Sequence, residues 1–170
     1  MTEQRKQEKV SVAGLLTIIT KDRATGEVTQ YMSEKNVVTD NGISKLVDNL
    51  TNTNSVLLDN FSFGDDVGIG NEFAPEPAKE GYTSAMQNVL FRASSTDITI
   101  NAVGGNKLVA ETIISGNQLI TNFFPSELSI NVMSATFRFN DDTTFSYKRF
   151  PVKVISKMTD IIVQWEIEFT

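Results

Sequence analysis

Neither histidine nor cysteine occurs among the 170 residues. Their absence excludes catalytic dyads and triads built on either side chain, the usual zinc ligand sets, and disulfide bonds. The domain must be held by its core alone, and a chain without cysteine fits synthesis in a cytoplasm. Long apolar runs are missing as well, and none approaches the roughly 20 residues that cross a bilayer as a helix. Residues 1–9 are polar and charged and lack the apolar stretch of a signal peptide, so they read as a flexible arm. Positive charge is scarce: 15 Lys and Arg stand against 21 Asp and Glu, giving a net charge of −6. That balance argues against a broad nucleic-acid footprint. The local basic group Lys148, Arg149 and Lys153 is expected on solvated strand edges.

What is present is β pattern. Ile161, Val163, Trp165, Ile167 and Phe169 alternate with Ile162, Gln164, Glu166 and Glu168, which is the period of a half-buried antiparallel strand. Val10 to Thr20, interrupted by Gly14, reads as a strand, and Val28 to Met32 as its hairpin partner across the turn residues Lys21 to Glu27. Asp97 to Val103 and Lys107 to Ile114 flank the turn signal Gly104-Gly105-Asn106. Ser115-Gly116-Asn117 is expected to turn the chain into a strand over Gln118 to Phe124. Val56 to Phe63 and Thr143 to Phe150 also read as strands, Met86 to Phe91 as a strand or short helix, and Pro151 as a strand-end or edge residue. Leu128, Ile130 and Val132 fall on even numbers, whereas Met133, Ala135, Phe137 and Phe139 fall on odd ones. A strand that changes phase midway predicts a β-bulge at Val132 to Ser134.

One helix interrupts this series. Thr39, Asp40, Asn41 and Gly42 supply capping groups, and Ile43, Leu46, Val47 and Leu50 share one face that should pack on a sheet. The predicted fold is all-β, an antiparallel β-sandwich or flattened barrel with this one short helix near 40–50. A single domain over 10–170 is large enough to bury roughly two thirds of its unfolded surface. From it projects a long acidic Pro/Gly loop at 64–81.

Candidate chemistry is sparse. Gly64 to Gly70 lacks the Lys-Ser/Thr pair and the following helix of a phosphate-binding loop. Asp65, Asp66, Asn71 and Glu72 offer oxygen ligands for calcium, but their spacing matches no EF-hand, and a solvated or partner-bound loop is the expectation. The adjacent carboxylates Asp141 with Asp142, and Glu166 with Glu168, are expected to be solvated and not an acid/base pair. Phe123, Phe124, Phe137, Phe139, Phe145, Tyr147, Phe150, Trp165 and Phe169 are assigned to the core, leaving Phe73 and Tyr82 to meet a partner. No catalytic, metal or cofactor residue is assigned.

The order of segments carries more information than any one of them. Asn36-Val37-Val38-Thr39-Asp40-Asn41-Gly42-Ile43 leads into the helix, and Phe61-Ser62-Phe63-Gly64 then runs into the glycine loop. Phe145-Ser146-Tyr147-Lys148-Arg149-Phe150-Pro151-Val152-Lys153 follows, and the chain finishes on Ile161 to Phe169 with Trp165 in register. Over Asn36 to Phe169 this order resembles that of tailed-bacteriophage virion proteins. The resemblance implies a small, non-enzymatic subunit of a tail, collar, baseplate or head decoration, without a cofactor. It would be made in the host cytoplasm and reside in the virion. Its implied partners are other virion proteins and copies of itself, with no nucleic acid and no membrane insertion. A host-glycan-binding adhesin module is the alternative, and a glycan hydrolase ranks below it. Subunit contacts are expected from the arm through Arg5, Lys6 and Lys9, and from the loop region through Asp65, Asp66, Glu72, Phe73 and Tyr82.

Overall fold

A computed structural model describes residues 11–51, 58–64, 89–93, 97–141 and 143–170. The arm 1–9, the loop 65–81, the predicted contact residues within them and Tyr82 lie outside the described residues. Among the described residues nine strands run in the order β1 Val12–Asp22, β2 Val28–Val38, β3 Leu58–Gly64, β4 Val89–Ala93, β5 Ile98–Ala102, β6 Lys107–Ser115, β7 Ser129–Phe139, β8 Thr144–Ser156 and β9 Thr159–Phe169. Helix α1, Asp40–Thr51, follows β2, and helix α2, Gly116–Phe123, follows β6. All pairings are antiparallel, and together they make one sheet in the order β4-β3-β7-β8-β2-β1-β9-β6-β5. The all-β prediction therefore holds, and Met86 to Phe91 resolves in favour of a strand at its C-terminal end.

The sheet curls so that its two halves face each other. Trp165 on β9 stacks on Phe137 of β7 at 5.6 Å between centroids and meets Phe61 of β3 edge-on at 5.8 Å. Phe137, Phe139 and Phe145 continue this aromatic core with perpendicular contacts. Edge-to-face and offset stacks of this kind add to simple area burial. Phe123, assigned to the core by sequence, instead lies 53% exposed on α2, while Phe124 and Phe169 are only partly buried.

Strand β2 belongs to both halves. Residues Val28 to Asn36 pair with β1, whereas Val37 and Val38 pair with Tyr147 and Ser146 of β8. The crossing leads directly into α1. Thr39 caps that helix by accepting from Gly42 N at 2.9 Å, and its hydroxyl donates to the Thr144 carbonyl at 2.5 Å. A Cβ on Gly42 would stand 2.7 Å from the Phe145 backbone, so only glycine lets the helix seat here. Docking through Gly42 keeps Leu46 of the predicted contact face against the core but rotates part of that face outward. Ile43 and Val47 are left exposed, at 38% and 55%.

Helix α2 occupies residues predicted to be strand. Ser115 supplies the N-cap, accepting from Gln118 N, and Leu119 and Ile120 are buried. Apolar residues at 119, 120, 123 and 124 follow a helical spacing that a search for alternation passes over. Gly116 is again obligatory, since a Cβ would lie 2.2 Å from the Ser156 carbonyl oxygen.

The predicted irregularity in β7 is present. Val132 faces Lys153 but Ser134 faces Arg149, so Met133 stands opposite three residues of β8. The surplus thus lies on β8 and contains the exposed Pro151, which sits in a bulge and not at a strand end. There its missing N–H interrupts no ladder.

Candidate interaction surface

Strands β2, β1, β9, β6 and β5 form a half-sheet with one face in the core and one in solvent. Burial alternates strictly along β9, from Thr159 to Ile167, and along the middle of β1. Register then sorts the outward side chains into rows. Ile113, Ile162, Ile19 and Tyr31 stand side by side across β6, β9, β1 and β2. Four strands at the usual spacing make this apolar row about 15 Å wide. Tyr31 is 63% and Ile113 is 64% exposed. Isoleucine suits a strand in any setting, but four apolar residues in register on a solvent face make a continuous patch.

Polar rows flank it. Below lie Glu111, Gln164, Thr17 and Ser33, tied by a Gln164 Nε2 bond to Glu111 Oε2 at 2.5 Å and a Thr17–Ser33 hydroxyl pair at 2.9 Å. Above, Arg23 reaches Asp160 at 2.7 Å and also donates to Ser115. Beyond the first polar row, Lys107 Nζ lies 2.8 Å from Glu166. Glu166 supplies the chief influence raising the Lys107 pKa, through that hydrogen bond, with added attraction from Glu166 and Glu168. Glu166 is thus half of an ion pair and not a free carboxylate.

Other candidate groups divide. Asp141 is exposed but pairs with Lys45 of α1 at 2.6 Å, which joins the helix to the β7–β8 turn. Burial works against its charge, yet hydrogen bonds from Lys45 and Thr143 prevail and hold its pKa below the usual value. Asp142 lies outside the described residues. Arg149 is not on a solvated edge as predicted. It is buried in β8, donates to the Tyr147 hydroxyl at 2.7 Å and lies over that ring. The reason is that β7 and β8 are buried on both faces along much of their length. Ser134, Thr136 and Arg138 are all buried beside Ala135, Phe137 and Phe139. Among the described residues, no three acidic side chains come together as a metal site would require.

Two grooves border the half-sheet. One, about 240 Å³, separates β6 from α2 between Ile113 and Phe123. The other, about 420 Å³, opens where β2 leaves β1, between Val12, Asn36 and Ile43. Sequence reasoning missed the apolar row and both grooves. The row was accessible in principle, because Ile19, Tyr31, Ile113 and Ile162 all sit at outward phases, but only pairing places them together.

Comparison with family profiles, curated proteins and solved structures finds no match to this chain.

Proposed function

We propose that this protein is a non-enzymatic structural subunit of a bacteriophage particle that associates with copies of itself or docks to other virion proteins. The observation that supports docking most directly is the row Ile113–Ile162–Ile19–Tyr31 on a solvent face. Contiguous exposed apolar surface bounded by polar residues is the usual character of a protein-binding patch. The assignment to a phage particle rests on the ordered motifs from Asn36 to Phe169. Two of those motifs have physical work in this chain: Thr39 and Gly42 form the α1 joint, and Phe150-Pro151-Val152 forms the β8 bulge. A tail, collar, baseplate or head-decoration position, reached after synthesis in the host cytoplasm, fits such a subunit.

The glycan-binding alternative draws on Tyr31, an exposed aromatic beside the Thr17–Ser33 hydroxyl pair. Light scattering over a concentration series separates the two. A structural subunit should form a discrete oligomer that Tyr31→Ser combined with Ile113→Glu abolishes. A chain that stays monomeric alone and with its virion partners, yet binds a glycan array through Tyr31, would replace this function with the adhesin.

A further inference from the structure

We infer that the fork between β1 and β2 is a strand socket that receives the N-terminal arm of a second copy of this chain. The inference deepens the self-association proposed above and rests on it. Ser11 and Thr170 exchange two backbone bonds, at 2.6 and 2.9 Å. Direction alternates along an antiparallel ladder, so Ser11 and Ala13 point toward β9 while Val12 and Gly14 point toward β2. Gly14 finds Asn36 there, but β2 then crosses to β8 at Val37. The Val12 N–H and carbonyl therefore face the fork with no ladder partner among the described residues.

The groove at this fork holds about 420 Å³ and is walled by Val12, Gly14, Lys35, Asn36, Asp40 and Ile43. Asn36 provides an independent observation. Its side chain lies so close over Gly14 that a Cβ there would meet Oδ1 at 1.9 Å. Both polar atoms of its amide are buried, and neither has a hydrogen-bond partner among the described residues. A side-chain amide donates and accepts as a peptide group does. Rotation of the Asn36 side chain off Gly14 and into the fork would let the main chain of an extended segment satisfy both halves, which an anion or a purely apolar ligand could not do.

Charge and connectivity select the occupant. Asp40 and Lys35 line the groove, and a second groove that shares Ala13, Gly14 and Lys35 with it adds the carboxylates of Glu166 and Glu168. The ten residues preceding Ser11 carry Arg5, Lys6 and Lys9 against Glu3 and Glu8. To enter its own fork the arm would have to reverse immediately before Ser11. It contains no Gly, Pro, Asn, Asp or Ser with which to build that tight turn. An arm from another copy needs no reversal.

The absence of cysteine makes the test clean. Gln4→Cys and Lys35→Cys chains are purified separately, mixed and oxidised, with Thr25→Cys as a distant control for Lys35→Cys. A disulfide-linked pair should accumulate in the Gln4/Lys35 mixture above the control. Val12→Pro removes the donor facing the fork and spares those of Ser11 and Ala13. It should lower the yield by about tenfold, the order expected when main-chain bonding at a strand-addition site is lost. Should Val12→Pro fail to fold, deletion of residues 2–9 must reduce association measured by light scattering. An oligomer that forms without the cross-link overturns the socket and leaves self-association standing. In a chain carrying both substitutions, Gln4→Cys and Lys35→Cys, a disulfide that forms only within one molecule also overturns it. A strict monomer at every concentration overturns both.

Discussion

The two halves of the curled sheet obey different rules. In the half built on β1 and β9, those two strands bury every second residue over most of their length and turn the others toward water. In the half built on β7 and β8, long stretches are buried on both faces, one lined by Phe137 and Phe139 and the other by Ser134, Thr136 and Arg138. Alternation in sequence is a record of a solvent boundary, so it is clear where that boundary exists and blurred where it does not. The first half is consequently available for contacts with other molecules through its outer face. In the second, both faces are committed to the fold.

Substitutions should expose this contrast directly. Trp165→Ala removes the side chain that joins the halves, and a cost of about 3–5 kcal/mol in denaturant unfolding is expected. Ile114→Ala, on the core face of β6, should cost about 2–5 kcal/mol, while its neighbour Ile113→Ala should stay within about 0.5 kcal/mol. No such pair of neighbours should exist in the middle of β8. There Phe145→Ala costs about 3–5 kcal/mol. Tyr147→Phe, which strips the buried Arg149 of an acceptor, should still cost about 1–3 kcal/mol. A silent Tyr147→Phe variant would erase the distinction between the halves. At the joint, Thr39→Ala loses a cap and should cost about 0.5–2 kcal/mol.

The smallest effects concern pH. Asp141 has a lowered pKa in the folded chain, so its contribution is present above the ordinary value near 3.8 and fades as pH falls through the lowered one. Lys107 has a raised pKa, so its contribution is present below 10.5 and fades as pH rises through the raised value. Melting curves should therefore show Asp141→Asn flattening only the acid limb and Lys107→Gln only the alkaline limb.

How much was legible follows the same division. The terminal strand, the β5–β6 hairpin and the N-cap at Thr39 could all be read because each carries a local signal of period, turn or capping group. The phase change at Val132 located the bulge, but the surplus residues lie on β8, since a one-strand pattern cannot say which partner carries the insertion. Residues Gln118 to Phe124 carry side chains of β-forming type at a helical spacing, and the spacing decides their structure. Ile43 and Val47 were expected in the core, and the close seat of Gly42 on Phe145 rotates them out. The apolar row and the fork depend on which strands pair and where β2 changes partner. Those are facts of topology that no window of sequence contains.

The pairing of Ser11 with Thr170 carries a mechanical consequence. Ser11 and Thr170 are adjacent on one ladder, held by two bonds that run across the strands. Tension that separates those two points loads the bonds one after another, as in opening a zipper. Tension that enters at Ser11 and leaves through the far end of β9, near Thr159, loads the whole β1–β9 ladder in shear, with its bonds sharing the force. A chain held at Ser11 would thus be compliant toward a pull at Thr170 and stiff toward a pull at the opposite end of β9.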